Sequence, residues 1–424
     1  MPRHRHPKPK GHNIAFDLIL RNARIAGTAA DTPLMDIAVD GESIAAIAPH
    51  LEAEGTEWGM NGRLVSPGLI ESHIHLDKSR IMDRCTAAPD RGTDHMHRVS
   101  AVKPGFTQED VYARAKETVE QCVVNGTSHM RTHAELDPNG GLRGFEALKQ
   151  LAADYRWAID IEICVFAQEG LTNVPETDAN LVTALKNGAT VIGGAPGYDP
   201  DHGGQIRRIF ELAREFDVDV DIHLDVGPTI DDMDIHLVCE LTAEFGWGGR
   251  VAVGHGTKYS CLPPDQLQDL GARLADTGVA VTVLPATDLF VMGRHQDHSV
   301  MRGVADANAL LACGVNCSLS TNNVLNPFTP FGDCSLIRIA NLYANVAQRG
   351  GEDEMADIFE MLTTRSARLL RRENYGIEVG KPADLVVWDA HTGAEAVATI
   401  ARPLHGFKRG RETFSQSLPE LQRP

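Results

Sequence analysis

Between about residues 66 and 372, short apolar runs alternate with longer amphipathic stretches, and this alternation restricts the possible folds more than any other feature of the chain. Strand, amphipathic helix and strand in succession pack as βα units of a parallel sheet. The strand-like runs are Leu69–His75, Ser128–Thr132, Asp160–Phe166, Val191–Gly194, Val218–His223, Val251–Gly254, Ala280–Leu284 and Val315–Ser320. Helical periodicity occupies Thr107–Val123, Gly144–Ala153, Gly204–Phe216 and Ile235–Phe245 between them. Eight such runs predict an α/β fold, a TIM (β/α)8 barrel. A polar or titratable residue follows nearly every run: His75, His133, Gln168, His223, His255, Asp288 and Asn322. In such a barrel these positions ring the C-terminal mouth, where the chemistry of the fold is done.

The two ends read differently. Residues 16–26 and 36–48 have strand character, the second broken by a hairpin turn at Gly41. Gly376–Asp389 reads as turn then strand, and Val397–Ile400 and Gly406–Arg411 suggest further strands. The predicted organisation is therefore a barrel over 66–372, a small discontinuous β-sandwich from 13–65 and 373–424, and a disordered basic leader over 1–12. The leader's His4, His6 and His12 lack the fixed surroundings of a metal site.

The net charge of −18 is carried by the rest of the chain, because the leader holds four basic residues and no acid. So acidic a surface repels phosphate backbones, which argues against a nucleic-acid partner. No run approaches the roughly 20 apolar residues of a membrane span, and the first residues lack the apolar segment of a signal peptide, so a cytoplasmic location is expected. The eight cysteines include no Cys-x-x-Cys pair and read as buried thiols. Cys313 and Cys317 flank the entry to the eighth strand rather than sharing a helix turn, which argues against a thiol metal site.

The candidate chemistry begins at His73-Ile74-His75. Strand side chains alternate with period two, so both imidazoles lie on one face and converge. Neutral imidazoles suit zinc, iron or a similar divalent ion. His223, at the end of the fifth run, is the expected third ligand. His255 is either a further ligand or the group that polarises the metal's water. An ion bound mainly by imidazoles lowers the pKa of its water towards neutrality. Gly193–Gly197 resembles a phosphate-cradling loop, but no Gly-Lys-Ser/Thr follows, so it reads as a rim loop facing the substrate.

The segment Pro67-Gly68-Leu69-Ile70-Glu71-Ser72-His73-Ile74-His75-Leu76-Asp77, the β-rich ends and Gly380-Lys381-Pro382-Ala383-Asp384-Leu385-Val386-Val387 together resemble the amidohydrolase superfamily. Within it the likeness is to the bacterial cytosine deaminase branch, which also holds isopropylammelide hydrolase. It extends through Arg131–His133, Phe166–Gly170, Asp221–Asp225, Gly254–Thr257, Asn326–Phe328 and Tyr375–Ile377. The resemblance implies one divalent metal ion on His73, His75 and His223, His255 near the metal's water, and Gln168 reading a carbonyl and a ring nitrogen of the substrate. It also implies a homo-oligomer.

Two positions depart from the family. The glutamate expected after the His-x-Asp of strand five is Val226, and the aspartate expected after strand eight is Asn322. An amide has no useful basicity and relays no proton as a carboxylate does. His255 is the favoured substitute, ahead of Asp225, Asp231, Asp232, Asp288, Glu135 and Lys78. Asp225 is expected to orient a neighbouring histidine, and Asn322 to hydrogen-bond water or substrate. Lys78, Asn323 and Phe328 are assigned to the substrate, Lys78 either pairing with Asp77 or reaching an anionic group. Phe331 is a second candidate to stack on a flat ring.

The predicted function is metal-dependent hydrolysis of a C–N bond in a small cyclic nitrogen compound. The competing reading keeps fold and metal but not hydrolysis, as a lyase using the ion as Lewis acid or as a binding protein.

Overall fold

The computed structural model describes residues 14–29, 31–86 and 94–422; the expected leader over 1–12, with its histidines, lies outside them. The chain opens with β1 (Ile14–Ile25), β2 (Met35–Asp40), β3 (Ser43–Ala48), β4 (Ala53–Gly59) and β5 (Leu64–Pro67). Eight barrel strands follow: β6 (Leu69–Ile74), β7 (Thr127–Glu135), β8 (Asp160–Ala167), β9 (Val191–Gly194), β10 (Asp219–Leu224), β11 (Val251–His255), β12 (Val279–Val283) and β13 (Cys317–Leu319). They are parallel and hydrogen-bonded in sequence order. Most are buried on both faces, as Val251-Ala252-Val253 is, which is why they read as apolar runs rather than as alternating ones.

The chain ends with β14 (Leu385–Trp388), β15 (Pro403–Lys408) and β16 (Arg411–Ser415), which join β5 and β1 in one sheet drawn from both ends of the chain. Only Gly68 separates β5 in that sheet from β6 in the barrel. A Cβ at residue 68 would stand 2.2 Å from Ser128 Oγ, so glycine is required where one strand hands over to the next.

Val397–Ile400 is not a strand. It ends the helix Gly393–Thr399, whose first turn is capped by Thr392 accepting from Glu395 N. The alanine-rich run and this cap outweigh the strand preference of Val and Ile, and Ile400 terminates the helix in the left-handed region at φ 51°. Gly406–Arg411 is the hairpin between β15 and β16.

The barrel closes just past the end of β13. Asn322 N donates to His73 O (2.9 Å) and His75 N donates to Asn322 O (2.8 Å), so one residue straddles the seam between last and first strands. Asn322 does this at φ 63°, a conformation Asn tolerates better than most residues. Beneath it the buried Glu71 carboxylate accepts Thr321 N (2.9 Å) and the hydroxyls of Ser320 and Thr321.

His129, near the start of β7, lies with Asp160, Asp384 and Lys408 where the terminal sheet meets the barrel. Burial, reinforced by the Lys408 ammonium, pushes its pKa down to about 3. The unfolded chain therefore takes up a proton near pH 6.5 that the folded chain refuses. This stabilisation is complete above pH 6.5 and is lost as pH falls towards 3, at up to about 1.4 kcal/mol per pH unit. Urea midpoints measured from pH 7 down to pH 4 are expected to fall, and to fall less steeply in His129→Gln.

Candidate metal centre and active site

His73 and His75 leave β6 on one face, and His223 meets them from β10. His223 Nε2 lies 3.1 Å from His73 Nε2 and 2.9 Å from His75 Nε2. Phe166 holds the His223 ring from behind, stacked at 4.9 Å between centroids. On β11, Gly254 makes room for His73, whose Cε1 would stand 2.9 Å from a Cβ there. Burial first, then neighbouring positive groups, pushes His73 down to about 3 and His75 and His223 well below the usual imidazole value. All three rings are therefore neutral, with their Nε2 atoms converging on one point. Imidazoles around a tetrahedral zinc bring their nitrogens to about 3.3 Å of one another, so this donor set fits a divalent ion in chemistry and in spacing.

A layer beneath backs the His73 ring. Asp221, two residues before His223 on the same strand face, places Oδ1 3.4 Å from His73 Nδ1 and 3.5 Å from His133 Nε2. Its Oδ2 accepts Arg131 Nη1 (3.1 Å), and Arg131 Nε donates to Glu162 (2.9 Å). Burial alone would raise Asp221, but His133 and His73 hold it well below the ordinary carboxylate range. His133 is fully buried with its ring 3.9 Å from that of His73. With His73 and Asp221 it forms a second cluster of ligand-type atoms. The sequence reading gave Asp221 no role, although period two already put it on the inward face with His223.

His255 closes the site from the end of β11. Its Nδ1 bonds Asp288 Oδ1 at 2.5 Å, and Asp288 is fully buried and also accepts Leu284 N (3.1 Å). This leaves His255 Nε2 turned to Asn322, whose Nδ2 stands 3.5 Å away. The histidine-orienting carboxylate is thus Asp288. Asp225 instead accepts Asp234 N (2.8 Å) and Ile235 N (3.2 Å) at the start of the helix Ile235–Phe245. Burial pushes Asp225 up to about 6.

Above this floor lies a cavity of about 280 Å³ whose wall includes Gln168, Lys78, Asn323, Phe328, Asp225 and Val226. Asn326 positions the last part of the wall. Its Oδ1 accepts Phe328 N (2.9 Å) and Thr329 N (3.2 Å), and its Nδ2 donates to Asn323 Oδ1 (2.7 Å). Val226, 50% exposed, stands at the mouth. Asp231 and Asp232 are exposed and offer their backbone carbonyls to Lys258 Nζ. Phe331 is exposed against Phe290, outside the cavity wall. His95, Tyr198 and His202 also line the cavity. Nothing in the sequence flagged them, since none directly follows a barrel strand.

The comparison with known proteins agrees with this architecture. A match to the amidohydrolase family covers residues 90–413. The chain is 29% identical over 410 residues to N-isopropylammelide isopropyl amidohydrolase of Pseudomonas sp. (strain ADP), covering 93% of this chain and 96% of that protein. The structure of 5-methylcytosine deaminase from Klebsiella pneumoniae liganded with 5-fluorocytosine matches with a TM-score of 0.90 at 25% identity, covering 96% of this chain and 99% of that one. N-isopropylammelide isopropylaminohydrolase from Burkholderia multivorans ATCC 17616 matches with a TM-score of 0.81 at 26% identity, covering 94% and 98%.

The chain belongs to the amidohydrolase family, and so is a hydrolase acting on carbon–nitrogen bonds other than peptide bonds. Within the family it sits on the branch that resembles cytosine deaminase and isopropylammelide hydrolase. No helix among the described residues is long and apolar enough to cross a membrane.

Proposed function

We propose that the chain hydrolyses a C–N bond of a small cyclic nitrogen compound, releasing ammonia or an amine, with one divalent ion, zinc or iron, held by His73, His75 and His223. The observation that carries this reading is the convergence of three neutral imidazoles at the floor of an amide-lined cavity. The ion would supply an acidified water as nucleophile at neutral pH.

The chain's own residues do the rest. Asp288 fixes the proton of His255 on Nδ1, leaving Nε2 as the basic atom that faces the floor. That nitrogen takes the proton of the attacking water and returns it to the leaving nitrogen as the ring carbon exchanges its C–N bond for a C–O bond. Gln168 presents an amide to the ring's carbonyl and nitrogen. Asn322, neutral, donates from Nδ2 and accepts at Oδ1, which has no partner among the described residues. Val226 has no proton to transfer, so His255 is the group that carries protons here.

The test combines metal analysis of the purified protein with ammonia or amine release over a panel of pyrimidines, triazines and cyclic ureas. Release from at least one compound class is expected. Full metal occupancy without release from any of them would overturn the hydrolytic reading and favour the lyase or binding protein.

A further inference from the structure

The cavity is short of negative charge. Val226 and Asn322, both in the wall, are neutral. The two carboxylates left in the wall are already engaged: Asp225 by the amides of Asp234 and Ile235, and Asp234 by His202 Nδ1 at 2.9 Å.

Against them stands Lys78, in the cavity wall and only 2% exposed. An ammonium has three donors. Among the described residues its one hydrogen-bond acceptor is Glu135 Oε1. Its other neighbour is the face of Phe328, with Nζ 4.4 Å from the ring centroid. Glu135 lies outside the cavity wall and is itself shared, because its second oxygen pairs with Lys103, which also binds Asp137 and Glu169. A fully desolvated ammonium with donors to spare is costly unless something completes its shell. Lys78 borders two cavities, a small one of about 20 Å³ that it shares with Glu135 and Lys103 and the substrate cavity of about 280 Å³, and of the two only the substrate cavity has room for a ring.

We infer that the substrate is a cyclic nitrogen compound carrying an oxyanion, and that Lys78 Nζ receives this oxygen against the face of Phe328. The inference rests on the hydrolytic reading for the flat ring of the reactant. An ionised ring oxygen and a ring carboxylate share the chemistry that Lys78 recognises.

Binding to the metal-loaded protein, measured by calorimetry at low salt and pH 8, tests this with three probes: uracil, barbiturate as ring oxyanion, and uracil-6-carboxylate as ring carboxylate. At least one anion is expected to bind about tenfold or more tighter than uracil, the usual margin of a charge-assisted over a neutral hydrogen bond. Which anion does so identifies the source of the oxyanion. Lys78→Gln is expected to erase the preference and Lys78→Arg to keep most of it, with thermal melts confirming that both variants fold. Phe328→Leu, which leaves the lysine in place, is expected to weaken it as well.

Equal binding of uracil and both anions would overturn the inference. So would a preference that survives Lys78→Gln but disappears when the ion is chelated, since the ion would then be the charge reader. The outcomes separate from those of the amine-release panel. Hydrolysis confined to neutral rings overturns the anion and leaves the hydrolase. Anion preference without amine release from any ring overturns the hydrolase and leaves the anion.

Discussion

His223→Ala is expected to strip the protein of its ion and of its activity together. His223 Nε2 is the common point of both short nitrogen contacts, at 3.1 Å to His73 and 2.9 Å to His75, and without it two imidazoles face an opening. Changing a residue that merely supports a ligand costs about 10–100-fold in metal affinity, and Asp221→Asn, acting behind His73, belongs to that class. Loss of the ligand itself is expected to exceed it, so that dialysed His223→Ala retains less than about a tenth of an ion per chain while Asp221→Asn is refilled by added metal. Chelation of the unaltered protein is expected to abolish turnover reversibly. It also removes roughly 4 kcal/mol of linked stability if free metal stood about a thousandfold above its dissociation constant. Elemental analysis and melting with and without chelator read both effects. Stoichiometric metal in His223→Ala would transfer the ion to the neighbouring cluster of His73, His133 and Asp221.

The second large effect is a gain. Introducing the two carboxylates that the resemblance leads one to expect, Val226→Glu with Asn322→Asp, is expected to raise cytosine deamination by about 10²–10⁴-fold, the usual worth of a positioned general acid or base. Val226 is half exposed, so a carboxylate there stays solvated until a ring arrives. Asn322 is buried at 1% exposure, but Asp matches it in shape and tolerates the same left-handed backbone. The buried charge beside His255 is costly without the ion, so the double variant is also expected to depend more steeply on metal for stability. Ammonia release from cytosine by the two single variants and the double variant reads the gain. A double variant as inactive as its parent would show that the cavity, and not proton transfer alone, has departed from the deaminase pattern.

The barrel was readable because parallel strands buried on both faces leave apolar runs in the sequence. Val191–Gly194 appears unchanged in the structure, and Leu69–His75 differs from β6 by one residue. The His73–His75 pair was readable for the same reason, since alternation alone puts both rings on one side. Asp221 was harder. Asp217, Asp219 and Asp221 share one parity, and only depth in the barrel separates them: the first two bind Arg250 near the strand's start, whereas the third reaches His73. The partner of His255 was hidden because Asp288 approaches from the next βα loop, a contact between loops that no spacing within one strand records. Val397–Ile400 misled because four apolar residues say nothing of the Thr392 cap before them.

Asn322 has a consequence for how the molecule comes into being. Its backbone holds the His73–His75 segment by one hydrogen bond on either side of Ile74. A ribosome releases the histidine pair early and Asn322 only after most of the barrel has been made. Until then the first strand has an open edge and the pair has no fixed aim. The centre is thus a product of the finished circle, and a chain cut short before β13 would carry His73, His75 and His223 without the clasp that points the first two.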